Sequence, residues 1–192
     1  QPEPEGKSPY SALAKKHKVK IDFIPFMHVS EITAMEFKEQ KISILNHDAV
    51  IFTSKNAMDH YFGMMEKLRL RIPDFIKYFC VSEAIAHYLQ NFITYRKRKI
   101  FTGEQSLASL IPVMQKHKDS KFIFPCSDLL KNKKNIALEE SGLNYTKAQM
   151  YKVCCSDLSN LSEVKYDVLV FFSPTGIKSL IENFPDFIQG DT

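Results

Sequence analysis

Glycine is scarce in this chain: Gly6, Gly63, Gly103, Gly142, Gly176 and Gly190 are the only six among 192 residues. They are so dispersed that no G-x-G-x-x-G turn or Walker loop can be written anywhere, which excludes the usual dinucleotide and nucleoside-triphosphate readings. Cysteine is as sparse. Cys80, Cys126, Cys154 and Cys155 form no C-x-x-C pair and are too few for a disulfide framework, so a reducing, cytoplasmic setting is expected. The histidines (His17, His28, His47, His60, His87, His117) never stand with a second His or a carboxylate at ligand spacing, and no metal site is expected. No apolar run approaches the roughly 18 to 20 residues of a membrane span. The chain opens with no basic region and apolar stretch of a signal peptide, so a soluble protein without membrane contact is expected. Lys+Arg 26 against Asp+Glu 22 leaves a net charge of +4, too weak a bias to imply nucleic acid.

What is present is ordinary globular composition, 44% hydrophobic and 25% charged, enough for a core without metal or disulfide staples and for one or two domains. Strand-like runs recur at Val19–Ile24, Ala49–Phe52, Tyr78–Val81, Lys99–Phe101, Phe122–Phe124 and Val168–Phe172. Helical spacing lies between them, clearest from Asn56 to Leu70, where Ala57, Tyr61, Met64, Met65 and Leu68 share a face, and from Leu107 to Met114. Ser54, Ser82, Ser106 and Ser173 stand where helices start and are expected to cap them. The alternation predicts a parallel α/β sheet. Val50–Ala57 and Val170–Ile177 each read as buried strand, polar turn and helix start. Internal duplication and the ordinary rhythm of an α/β chain both produce such a pair.

The chemistry-bearing motifs are few. There is no G-x-S-x-G elbow, no partnered nucleophile at Cys126 and no acid/base pair. Arg96-Lys97-Arg98-Lys99 reads as a charged, solvated sheet edge before it reads as an anion site. The strand ends say more, because parallel sheets hold ligands at their carboxyl edge, where helix N-termini attract anions. Thr53, Ser54, Lys55, Asn56, Thr102, Gly103, Ser127 and Ser173 to Gly176 lie there. Neutral donors without metal ligands suit a polyanionic organic ligand; singly, each of these residues also serves as a helix cap.

At these same residues the sequence resembles the uroporphyrinogen-III synthase family. The resemblance rests on Ile51-Phe52-Thr53-Ser54-Lys55-Asn56-Ala57, Phe124-Pro125-Cys126, Met150-Tyr151 and Phe171-Phe172-Ser173-Pro174-Thr175-Gly176, in order and spacing along nearly the whole chain. It implies two parallel-sheet, flavodoxin-like α/β domains joined by two extended segments. Residues 1–26 and 156–192 would form the first, apparently incomplete domain, and 27–155 the second, inserted into it. It also implies a monomeric, cytoplasmic lyase without metal or organic cofactor. Its small-molecule substrate, the linear tetrapyrrole hydroxymethylbilane, would lie in the cleft between the domains and be closed with inversion of ring D and loss of water.

Carried over residue by residue, Tyr151 matches the tyrosine that hydrogen-bonds the departing hydroxyl. Thr53, Ser54 and Asn56, and Ser173, Thr175 and Gly176, match two turns that meet the carboxylate arms. Thr102, Gly103 and Ser106 correspond to a further turn, and Lys55 stands where the family varies. Three departures accompany the match. Ser82-Glu83-Ala84-Ile85-Ala86 has Ile85 where the family has a Thr, and the family's first strand and late G-P-T-T-A motif fall outside the sequence. Ile85 and the missing motif keep open a non-catalytic two-domain ligand-binding protein that retains the cleft. A receiver-like regulatory module is a weaker alternative, since its acidic strand-end cluster is absent.

Overall fold

The computed structural model describes residues 8–94, 96–132 and 135–188. Residues 1–7 and 189–192, which include Gly6 and Gly190, lie outside them. In chain order the strands are β1 (Met27–Glu31), β2 (Ala49–Phe52), β3 (Lys77–Cys80), β4 (Ile100–Thr102), β5 (Phe122–Ser127) and β6 (Tyr145–Cys155). The helices are α1 (Pro9–His17), α2 (Ala34–Glu39), α3 (Lys55–Lys67), α4 (Glu83–Tyr88), α5 (Leu107–Gln115), α6 (Asp128–Asn132), α7 (Ile136–Glu140) and α8 (Pro174–Asn183). The strands make one six-stranded sheet in the order β1-β6-β5-β2-β3-β4, mainly parallel. By internal contacts the chain divides into two units, residues 30–152 and residues 1–29 with 153–192. β1 and β6 are the strands whose chain passes from one unit to the other.

In the unit of residues 30–152 the sheet is covered on both faces, which explains why its strands are continuous apolar runs. All four residues of β2 are buried. Ala49 and Ile51 join Leu110 and Met114 of α5 and Leu138 of α7 in one hydrophobic cluster. Phe52 instead meets Tyr61 and Phe62 of α3, with ring centroids 5.5 and 5.9 Å away. Each such side chain contributes roughly 1.5 to 3 kcal/mol on burial. Of the apolar stripe expected on α3, Ala57, Tyr61, Met64 and Met65 are buried, together with Met58 and Phe62, while Leu68 stands half-buried at the helix's C-cap. Its N-terminus is fixed by Ser54, whose side chain accepts from the Ala57 amide at 3.1 Å. Ser82 and Ser106 cap α4 and α5 in the same way. Lys97–Lys99 forms a short 3-10 turn leading into β4, the last strand of the sheet order, and Arg96 pairs loosely with Asp74 at 3.7 Å.

In the other unit α8 is tied to the segment around Phe26 and Ser156. The Ser179 hydroxyl donates to the Phe26 carbonyl at 2.6 Å, and the Asn183 amide donates to the Ser156 carbonyl at 3.0 Å. Asn183 also accepts from the Leu158 amide at 2.9 Å. Phe26 and Phe171 meet edge to face at 5.4 Å.

Two expected strands do not form. Val19–Ile24 and Val168–Phe172 have strand-like sequences but carry no strand assignment. A strand exists only where a neighbour supplies ladder bonds and covers a face. Here Val168, Val170 and Phe172 stand 73%, 68% and 66% exposed, so alternation alone does not make sheet. Ser173 precedes α8 without capping it; its hydroxyl lies 3.1 Å from that of Thr175.

Candidate functional site at the carboxyl edge of the sheet

Register decides which sequence-predicted residues come together. Phe52 is level with Cys80, and Cys80 with Thr102, so the turns after β2, β3 and β4 lie side by side at one edge. The Val81 amide donates to the Phe52 carbonyl at 3.0 Å, and the Gly103 amide to the Cys80 carbonyl at 2.9 Å, carrying the ladder to its end. Thr53, Ser82 and Gly103 follow directly. The N-termini of α3 and α5 start from this edge, where unpaired amides and the helix dipole favour negative charge.

Each turn has its own construction. Ser54 spends its oxygen on the α3 cap. Lys55 and Asn56 are exposed at the first turn of α3, and the Lys55 ammonium lies 5.0 Å above the Tyr88 ring. The Tyr88 hydroxyl donates to Asp59 at 2.7 Å, tying α4 to α3, and that bond raises the Tyr88 pKa. Thr102 is half-buried. Gly103 is there because the turn packs on α5: a Cβ would stand 3.0 Å from Ser109 Oγ and 3.1 Å from the Leu110 amide nitrogen. Ile85, in place of a hydroxyl residue, packs against the hydrophobic cluster under the sheet.

Tyr151 lies on β6 opposite Ser127, just past a register shift in which β5 advances from Cys126 to Ser127 while β6 advances from Gln149 to Tyr151, leaving Met150 as the extra residue. Such an irregularity re-aims the side chains of the strands it joins. The residue is only 6% exposed. Burial pushes its phenol above the ordinary 10.0, while the neighbouring Ser54 hydroxyl pulls it back by hydrogen bonding; Cys126 and Asp128 add smaller upward effects. The phenol therefore keeps its proton at neutral pH. One face of its ring is covered by the imidazole of His60 from α3, with centroids 4.8 Å apart and planes inclined by 24°. Sequence reasoning left His60 among unremarkable histidines. Its partner lies far along the chain, and nothing local marks the contact.

Ser173, Thr175 and Gly176 belong to the other unit. Ser173 and Gly176 border a cavity of about 690 Å³ whose remaining wall is largely apolar, including Leu13, Val168, Val170 and Phe172. Gly176 lies close against Phe171: a Cβ there would stand 3.1 Å from the ring, which would have to give by a few tenths of an ångström. Its amide donates to the Ser173 carbonyl at 3.1 Å.

Among the described residues no cluster of His, Cys, Asp and Glu is arranged to hold a metal, and no helix is long and apolar enough to cross a membrane. Cys80 and Cys126 are buried and Cys154 and Cys155 half-buried, all as free thiols. Burial drives the Cys80 thiol up to about 12, far from a reactive thiolate.

The hydroxyl-bearing turns, the N-termini of α3 and α5 and the buried Tyr151 thus stand at the carboxyl edge of a mainly parallel sheet in an α/β protein, the edge where such sheets hold ligands. The chain belongs to the uroporphyrinogen-III synthase family: the family model described as uroporphyrinogen-III synthase HemD matches residues 8–192. Membership assigns it to tetrapyrrole biosynthesis. Solved structures agree on the fold. A mutant uroporphyrinogen III synthase from the extremely thermophilic bacterium Thermus thermophilus is similar with a TM-score of 0.56 and 16% identity, over 91% of this chain and 71% of that one. Uroporphyrinogen-III synthetase from Helicobacter pylori is similar with a TM-score of 0.54 and 18% identity, over 86% and 73%. No curated protein matches the chain by sequence.

Proposed function

We propose that the chain is a cofactor-independent hydro-lyase that closes hydroxymethylbilane to uroporphyrinogen III. The hydroxyl of the ring A hydroxymethyl group leaves as water, the resulting electrophile attacks the substituted carbon of ring D, and the spirocyclic intermediate breaks and recloses with that ring inverted. Much of this reactivity belongs to the pyrroles, so the protein's task is to fold the substrate, exclude water and help the hydroxyl depart. The observation that carries the reading is Tyr151, a buried and protonated phenol beside Ser54, in a chain whose residues 8–192 match the family.

In this reading Tyr151 donates a hydrogen bond to the departing hydroxyl as a weak general acid. The carboxylate arms are met by the amides and hydroxyls of Thr53, Ser54, Asn56, Thr102 and Gly103 in one unit and of Ser173, Thr175 and Gly176 in the other, with Lys55 as a nearby cation. Two flavodoxin-like domains, residues 1–26 with 156–192 and the inserted residues 27–155, form the working enzyme, a monomer in the cytoplasm. The division of the chain by internal contacts supports that domain reading. A non-catalytic ligand-binding protein is the second reading, favoured by Ile85, whose side chain supplies packing where the family supplies a hydroxyl.

Supplying hydroxymethylbilane with a metal chelator present and no organic cofactor added tests the proposal. Consumption faster than spontaneous closure supports it. Consumption at the spontaneous rate overturns it.

A further inference from the structure

Two helical turns past the site's first hydroxyl, α3 sends one more side chain to the tyrosine. His60 lies face to face with the Tyr151 ring, centroids 4.8 Å apart and planes 24° from parallel. Ser54, which caps the same helix, lies near enough to the Tyr151 phenol to pull its pKa down against the rise from burial. α3 therefore approaches the tyrosine of β6 through the His60 ring and through the serine that caps the helix. Both attachments lie within residues 30–152, so they are set by a single unit of the chain.

We propose that His60 is a positioning residue for the tyrosine: its imidazole clamps the Tyr151 ring by stacking and so holds the phenol in one orientation. The inference rests on the reading of Tyr151 as the donor to the departing hydroxyl. A ring held at its oxygen alone would still pivot about the bond to Cβ, and a flat partner removes that freedom.

Charge fits the clamp as well. Around His60 stand Asp59 and Lys67 of α3, Glu31 of β1 and Tyr151 of β6. The carboxylates of Glu31 and Asp59 favour the imidazolium, but burial outweighs them and keeps the imidazole neutral in the neutral range. A neutral ring stacks without placing a cation against the phenol, which preserves the phenol as a donor.

Three His60 variants, a Tyr151→Phe control and two readouts test the proposal. His60→Ala should lower kcat on the order of ten- to a hundredfold with KM within about twofold, the size expected when a reacting group is misplaced. His60→Phe, flat and unable to titrate, should restore kcat to within about threefold of the parent, because stacking is what it retains. His60→Leu fills the space without a flat face and should resemble His60→Ala; it also supplies a folded comparison where the alanine variant does not fold. The second readout needs no substrate: carbon-13 labelling of the tyrosine ring, with Tyr151 assigned by its loss in Tyr151→Phe, follows ionisation of that phenol in the intact chain. Its midpoint should lie above the ordinary value in the parent and in His60→Phe, and move down in His60→Ala as water reaches the ring. Unchanged kcat in the leucine variant overturns the proposal, as does failure of His60→Phe to restore turnover. Full turnover in Tyr151→Phe, with the titration shift still present, instead overturns the donor role assigned to Tyr151 while leaving the clamp demonstrated.

Discussion

The side-chain amide of Gln40 pairs with the backbone of Gln149 as a neighbouring strand would. Its nitrogen donates to the Gln149 carbonyl at 2.9 Å, and its oxygen accepts from the Gln149 amide at 3.1 Å. Gln40 closes α2, so the pair fastens that helix to β6 two residues before Tyr151. Gln40→Ala should cost about 1 to 3 kcal/mol, because it strips two bonds from part-buried backbone. Denaturant unfolding checks this. A variant as stable as the parent would show that water replaces the amide without loss.

The two serines that begin matching turns should behave differently. Ser54 caps α3 and Ser173 does not cap α8. Ser54→Ala should therefore lose about 1 kcal/mol of stability, whereas Ser173→Ala should stay within about 0.5 kcal/mol of the parent. If both hydroxyls also meet substrate carboxylates, KM rises in each. Melting curves separate the capping effect from the kinetic one, and an unchanged KM in Ser173→Ala would remove that residue from the binding site.

Tyr151→Phe keeps the stacked ring and removes the donor. Turnover should fall by at least about a hundredfold, the lower range for general acid catalysis, while stability changes by about 1 kcal/mol or less. Steady-state kinetics beside a denaturation curve distinguishes a lost donor from a damaged fold. Undiminished turnover contradicts the assigned role.

Glu36 gives the clearest acid dependence. Hydrogen bonds from Lys152 at 2.7 Å and from Thr33 hold its carboxyl at about 2, against an ordinary 4.5. A depressed carboxyl stabilises the fold fully above its unfolded value and loses that contribution as pH falls through its folded one. Stability tied to Glu36 should therefore be complete above about pH 4.5 and disappear towards pH 2. Glu36→Gln should flatten the stability profile in that window. The group is exposed, so added salt should weaken the effect in the parent.

The buried half of the fold was legible and the exposed half was not. β2, β3, β4 and β5 announce themselves because strands covered on both faces must be apolar throughout, and α3 because its stripe faces them. β1 escaped notice: at the end of the sheet order its residues Met27-His28-Val29-Ser30-Glu31 need little apolar surface. Val168–Phe172 misled in the opposite sense, since its apolar residues signal strand while pairing depends on a neighbour that local sequence does not encode. The capping serines at 54, 82 and 106 were readable from chemistry confined to three residues. Tyr151 was found through the family resemblance. His60 was beyond reach, because stacking between residues on α3 and β6 is created by packing alone.

The measurement closest to the central claim supplies freshly generated hydroxymethylbilane to the chain and separates the isomers of the oxidised product. The account predicts predominantly the type III isomer, formed faster than spontaneous closure. Type I alone, at the spontaneous rate, would contradict it.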